Sequence, residues 1–120
     1  MILIGNSFPL SLIRRKVVIE PQTISMLREK LGSHDLIHSF WGHRNTLSAA
    51  RALIGCDLTP KTERPALQLS SNNLPMLNGQ TFDECWILSP DYTENFRPQI
   101  GEEVTTDKIR SWQVLRMEWE

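Results

Sequence analysis

Several features that often reveal a function are scarce or missing in this chain. Its 120 residues include only two cysteines, Cys56 and Cys85. Neither has a closely spaced Cys or His partner, which argues against a zinc site. Both lie beside apolar residues, so we expect buried free thiols of a cytosolic protein.

Long apolar runs and an excess of one charge are also missing. No run approaches the roughly 20 apolar residues of a membrane span. The N-terminus is too short and uncharged for a signal peptide, so we expect a cytoplasmic protein without a membrane partner. The net charge of −1 gives no general basic field for duplex nucleic acid. An anionic ligand would need a local cluster drawn from the available cations, which include Arg14, Arg15, Lys16, Arg44, Arg51, Arg64 and Arg97.

Standard catalytic motifs are absent as well. The chain has no phosphate-binding P-loop, no dinucleotide fingerprint and no G-x-S-x-G nucleophile elbow. Its carboxylates are scattered, and no His/Asp cluster indicates a catalytic metal. His34 and His38 have a spacing that suits a metal on a helix, but no third ligand lies nearby, so we interpret them as ordinary histidines.

The hydrophobic pattern predicts one domain over residues 1–120, with a mixed central β-sheet flanked by helices on its faces, in the α/β or α+β class. We predict strands at 2–4, 17–19, 66–69, 83–88 and 114–119. Helices are predicted at 20–32, 33–37 and 45–54, and a short one around Ile109. Residues 70–80 are predicted as a loop with turns at its asparagines. Residues 89–102 lack periodicity and fit either a functional lid or a surface loop.

Two short stretches carry the candidate chemistry. Asn6 and Ser7 follow the first strand, where polar residues often meet ligands, although such a turn can simply satisfy its own backbone. His43 precedes the helix predicted from residue 45, whose N-terminus attracts anions, and Arg44 adds positive charge. Imidazole is the usual proton donor or acceptor near neutral pH. With arginines for phosphate and aromatic rings for bases, this set suits metal-free cleavage of an RNA-like phosphodiester.

Four motifs occur in an order that resembles the viral ring nucleases, the anti-type-III-CRISPR proteins of archaeal viruses, phages and mobile elements. They are Gly5-Asn6-Ser7-Phe8, Lys16-Val17-Val18-Ile19, Gly42-His43 leading into Thr46 through Gly55, and Pro60-Lys61-Thr62-Glu63-Arg64. The resemblance covers most of the first seventy residues and the last helix and strand.

The resemblance implies a homodimer that binds cyclic tetra-adenylate without any metal or cofactor. It implies cleavage to linear di-adenylate ending in a 2′,3′-cyclic phosphate, inside the infected or host prokaryotic cell. The family's catalytic histidine falls on His43, as general acid. Its phosphate-binding arginines fall on Arg64 and Arg97, and its ligand-facing turn on Asn6, Ser7 and Phe8.

One position departs from the family pattern. The family has a glutamate shortly after the lid arginine, in an Arg-x-x-Glu-Gly pattern, and this chain has Ile100 there. Glu94, Glu102 and Glu103 lie nearby. Two other functions remain open: a protein of the same fold that sequesters the cyclic nucleotide, and a small viral protein that acts through protein contacts. The four tryptophans would serve such contacts, or more simply the core.

Overall fold

The computed structural model describes residues 2–33, 37–40, 47–55, 67–92 and 106–120. Within these ranges the chain forms a five-stranded mixed sheet, a three-stranded antiparallel sheet and two α-helices. The strands are β1 (Ile2–Gly5), β2 (Val17–Gln22), β3 (Ile37–Ser39), β4 (Gln68–Leu69), β5 (Pro75–Leu77), β6 (Gln80–Thr81), β7 (Glu84–Tyr92) and β8 (Ile109–Trp119). The helices are α1 (Ile24–Gly32) and α2 (Leu47–Ile54). The predicted fold class is confirmed as α+β.

The larger sheet has the strand order β2-β8-β7-β1-β3. β1 runs parallel to both β3 and β7, whereas β8 is antiparallel to β2 and β7. The short apolar run of β1 is fully buried, which is expected for a strand paired in parallel on both sides in the interior of a sheet.

Both described helices cover the same face of this sheet. Leu27 of α1 and Ala50 of α2 pack against Ile4, Trp86 and the neighbouring buried side chains of the sheet. Thr23 caps α1 by accepting a hydrogen bond from the backbone N–H of Met26 at 3.2 Å. Arg28 Nε donates to the Leu53 carbonyl at 2.9 Å, which satisfies the end of α2.

The opposite face is covered by the small sheet of β4, β5 and β6 and by the chain that follows β1. A second core cluster lies there, built around Leu3, Phe40, Leu77, Phe82 and Met117. The two described helices thus lie on one face of the larger sheet, and a three-stranded sheet covers the other.

The predicted first strand agrees with the structure. The predicted C-terminal ends of the first and third helices also agree, since α1 ends at Gly32 and α2 at Ile54 before Gly55. The prediction that Pro21 opens a helix is wrong. Pro21 lies within β2, opposite Leu115, and β2 forms an edge of the larger sheet. An edge strand tolerates proline because its outward side needs no N–H donor.

The short helices predicted at 33–37 and around Ile109 are also wrong where they are described. Ile37 begins β3 and Ile109 begins β8, with a 3-10 turn over Thr106–Lys108 before it. Residues 34–36 lie outside the described ranges. β3 pairs with the buried strand β1, and β8 pairs with β7. This pairing outweighs the weak local preference for helix in both segments.

The predicted loop at 70–80 instead contains β5 and the start of β6. Its turn signals are confirmed, because Asn73, Asn78 and Gly79 have φ values of 62°, 52° and 78°. Asn78 and Gly79 join β5 to β6 in a two-residue hairpin that needs two positive φ angles. The two-residue strand β4 is shorter than the strand predicted at 66–69, of which residue 66 lies outside the described ranges.

Candidate functional site

Three neighbouring parallel strands run toward one edge of the larger sheet, where β1 and β3 end and β7 continues. Ile4 of β1 lies opposite Ser39 of β3, and Gly5 lies opposite Ile87 of β7. We call this the carboxyl edge. In open sheets with parallel strands, ligands bind in the crevice outside these ends.

The turn formed by Asn6 and Ser7 lies at the carboxyl edge and is tied to β7. Ser89 Oγ donates a hydrogen bond of 2.7 Å to the Asn6 carbonyl oxygen. On the other side of β1, the Phe40 N–H donates to the Ile4 carbonyl at 3.0 Å. Asn6 is half-buried and Ser7 is exposed. The turn is thus held in place while Ser7 is exposed to solvent.

Gly5 allows the Phe40 ring to lie directly against the last residue of β1. A Cβ added at Gly5 would stand 2.5 Å from Phe40 Cζ and 2.8 Å from Cδ2, which is closer than real Cβ atoms approach other carbons. Phe40 is itself only 7% exposed. The glycine before the turn is therefore required by packing.

Phe8 contributes to the same packing. Its ring meets Phe40 edge-on at a centroid distance of 6.2 Å and lies 5.3 Å from the ring of Trp119. Such aromatic pairs stabilise a fold beyond the area they bury. The structure therefore directs Phe8 toward the core, where it anchors the chain leaving the turn.

Beyond the end of β1, β7 and β8 continue together as a two-stranded ribbon. Ser89 pairs with Gln113 and Asp91 with Ser111, and these four polar side chains share one face. The other face carries Pro90, Trp112 and Tyr92, and Trp112 packs against the helix-side core. Burial raises the pKa of Tyr92. Residues 89–92, predicted as part of an irregular lid, are thus strand, and the rest of that segment lies outside the described ranges.

A β-bulge interrupts the ribbon between Asp91 and Tyr92. Ser111 lies opposite Asp91 and Ile109 opposite Tyr92, so Arg110 is the additional residue. Arg110 Nη2 donates to Asp91 Oδ2 at 2.6 Å, and Ser111 Oγ is 3.3 Å from the same oxygen. The hydrogen bond from Arg110 and its positive charge lower the pKa of Asp91.

A second charged cluster lies on the helix-covered face at the start of β7. Glu84 accepts from Arg116 Nε at 2.7 Å and from Trp86 Nε1 at 3.1 Å, and it pairs with Lys30 at 3.3 Å. Burial raises the pKa of Glu84, but the Arg116 hydrogen bond and the charge of Lys30 outweigh it, so the pKa lies below its usual 4.5. Arg116 also bonds Glu118. Every charge here has a partner, so this cluster is an ion-pair network of the fold.

The structure tests the positions of only some predicted site residues. Asn6 and Ser7 lie at the carboxyl edge, as described above. His43, Arg44, Arg64 and Arg97 lie outside the described residues. The basic run Arg14–Lys16 lies at the opposite edge, where β2 begins, and there Lys16 pairs with the Glu120 carboxylate at 3.1 Å.

His38 lies on a strand, so its spacing from His34 does not place the two on adjacent helical turns. Its ring contacts Phe82 at 5.2 Å, and its Nε2 is buried without a hydrogen-bond partner. The described part of the chain contains no group of three His, Cys, Asp or Glu residues able to hold a metal. Cys85, Trp86 and Trp119 are buried, as predicted for core residues.

The sequence interpretation missed the polar face of the ribbon. Ser89, Asp91, Ser111 and Gln113 alternate with apolar residues, and this alternation was the available signal for longer strands. The bulge at Arg110 hid the pattern on β8, because an additional residue shifts the alternation by one position.

Eight chains of solved structures match the fold of this chain. The chain is similar to B116 of Sulfolobus turreted icosahedral virus, with a TM-score of 0.61 and 13% sequence identity. The similarity covers 99% of this chain and 98% of that one. At this identity the likeness shows a shared fold. The chain matches no protein-family profile and no curated protein. None of its described helices is long and apolar enough to cross a membrane.

Proposed function

We propose that this protein is a metal-independent ring nuclease of viral origin that cleaves a cyclic oligoadenylate, with cyclic tetra-adenylate as the preferred substrate. Its products would be linear di-adenylates with 2′,3′-cyclic phosphate ends. Destroying this messenger would suppress type III CRISPR immunity in the infected cell. A viral origin is supported by the viral protein that shares the fold over nearly the whole chain.

The observation that carries the proposal is the carboxyl edge. The anchored turn of Asn6 and Ser7 lies there, β3 ends beside it, and β7 passes it and continues to Tyr92. His43 follows Phe40 by three residues, a reach of at most about 11 Å. Arg97 follows Tyr92 by five residues, a reach of at most about 18 Å. Chain connectivity thus allows the family's histidine and lid arginine to meet the turn at one site.

In this mechanism the substrate supplies its own nucleophile. The ribose 2′-hydroxyl attacks the adjacent phosphorus, forming the P–O2′ bond as the P–O5′ bond breaks. His43 acts as general acid and protonates the departing 5′-oxygen. A base accepts the 2′-hydroxyl proton, and Glu94, Glu102 and Glu103 are the candidates by sequence. Asn6 and Ser7 would bind the phosphate or sugar and hold the in-line geometry.

A homodimer would present this site twice about a twofold axis. A four-nucleotide ring centred on that axis would place two opposed phosphates before the two His43 side chains. Two cuts then release two di-adenylates. Size-exclusion chromatography with light scattering measures the dimer independently of activity.

The test is incubation with cyclic oligoadenylates of several ring sizes in EDTA, with products identified by mass spectrometry. We expect cleavage of the four-membered ring by the wild-type protein and its loss in a folded His43→Ala variant. His34→Ala is the matched control, because the mechanism gives that histidine no role, and it should retain the activity.

The other outcomes identify the competing functions. Tight binding without products would show a protein that sequesters the messenger, a result that Ile100 in the place of the family glutamate favours. Absence of binding to any ring would refute the proposal and leave a protein that acts through protein contacts. Loss of folding in His43→Ala would indicate a structural histidine, and His43→Asn would then test the chemistry with a smaller change in shape.

A further inference from the structure

The bulge on β8 changes where a positive charge is presented. In a regular strand, neighbouring side chains point to opposite faces, so Arg110 would lie on the face opposite Ser111. With the additional residue, Arg110 and Ser111 both reach the carboxylate of Asp91. Bulges beside functional sites commonly redirect a side chain in this way.

The redirected guanidinium is held but still open to solvent. Asp91 accepts from Nη2, and the Arg110 side chain is 66% exposed. A guanidinium has five N–H donors, so four remain for a further acceptor. The exposed ion pair adds little stability to the fold by itself. Its effect is to restrain a flexible side chain, which lowers the entropy lost when that side chain binds an anion.

The position of Arg110 connects it to the candidate site. Ser89, which bonds the Asn6 carbonyl, lies two residues before Asp91 on the same face of β7. Two strand residues span about 7 Å. A polar surface therefore runs from the turn along the ribbon to Arg110. Each additional cation that contacts a phosphate of a ligand bound at the turn would strengthen its binding.

We propose that Arg110 binds a phosphodiester group of the oligonucleotide that occupies the Asn6–Ser7 turn, with Asp91 holding its guanidinium in place. This inference rests on the proposed function and adds a phosphate-binding residue to it. Arginine suits the role because its planar fork can bind two phosphate oxygens at once.

The experiment measures binding of cyclic tetra-adenylate in EDTA at several salt concentrations, using the His43→Ala protein so that the ring persists. We expect Arg110→Gln to weaken binding roughly 10-fold to 100-fold, the range for a charged hydrogen-bonded contact. The slope of log affinity against log salt should fall by about 0.7, the value for one phosphate contact to a single strand. Arg110→Lys should keep the slope but lose affinity.

Arg14→Gln is the matched control, because it removes the same charge from an exposed arginine at the opposite edge. Thermal unfolding midpoints establish that each variant folds. Equal affinity and salt slope in Arg110→Gln and Arg14→Gln would overturn the inference while leaving the proposed function intact. If neither the His43→Ala parent nor the wild-type protein binds any ring, the inference about Arg110 and the proposed function are both refuted.

Discussion

Replacing Gly5 with alanine tests the close packing at the end of β1. The new Cβ would stand 2.5 Å from Phe40 Cζ, whereas ordinary contact begins near 3.4 Å. Phe40 Cε2 would lie closer still, so the ring must retreat by at least about 0.9 Å, the difference between these two distances. Because Phe40 is buried in the second core cluster, this movement displaces its neighbours as well.

Two effects of opposite sign determine how much Gly5→Ala changes the free energy of unfolding. Overpacking of a core costs about 1–3 kcal/mol. Replacing glycine with alanine recovers about 0.4–1 kcal/mol by restricting the unfolded chain. We expect Gly5→Ala to lower the free energy of unfolding by about 1–2 kcal/mol, measured by urea denaturation with an unchanged m-value.

Gly32→Ala provides a control with the same chemical change. A Cβ at Gly32 meets nothing within 4 Å, and the residue ends α1 without a positive φ. This variant should gain about 0.4–1 kcal/mol. Phe40→Leu combined with Gly5→Ala should be less destabilised than the sum of the single variants, because the smaller side chain makes room. If Gly5→Ala is as stable as Gly32→Ala, the packing argument is refuted.

Two further predictions concern the half-buried Glu84 and the buried Cys85. The lowered pKa of Glu84 means that its contribution to stability is present above pH 4.5 and is lost as the pH falls through its folded-state value. Between pH 7 and pH 3, the urea midpoint of Glu84→Gln should fall less steeply than that of the wild-type protein. At pH 7 the variant should have a free energy of unfolding about 1–3 kcal/mol lower than wild type. Parallel curves of urea midpoint against pH for the two proteins would contradict this prediction. Burial raises the pKa of the Cys85 thiol well above 9.0. In a Cys56→Ser background, Cys85 should therefore react with Ellman's reagent only after unfolding, and rapid reaction in the native protein would show the burial to be wrong.

Local patterns in the sequence were sufficient to predict some elements of the fold. The apolar run of β1, the spacing of Leu27 and Leu31 and the Asn78–Gly79 turn each carry their own signal, and the structure confirms them. These features depend on residues close together in the chain. The Asn6–Ser7 turn was predicted by the same reasoning, from its position after β1.

Other elements depend on partners far away in the chain. The sequence around Pro21 resembles the start of a helix. Only the pairing of β2 with β8 on one side shows that Pro21 lies in an edge strand. β3 has three residues and is held by pairing with β1, which no local pattern reveals. The Ser89–Asn6 hydrogen bond joins residues 83 positions apart. The sequence interpretation also missed Arg110. Its contact with Asp91 on the polar face of the ribbon results from the bulge in β8 and not from its spacing in the sequence.

The position of Pro21 has a consequence for self-association. Among the described strands, β2 and β3 form the two outer edges of the larger sheet. At the β2 edge, Pro21 offers no N–H to an incoming strand and the exposed Glu20 adds a negative charge. The β3 edge is only three residues long. We therefore expect the proposed dimer to form through faces or loops of the domain, and growth into fibres by strand addition to be blocked.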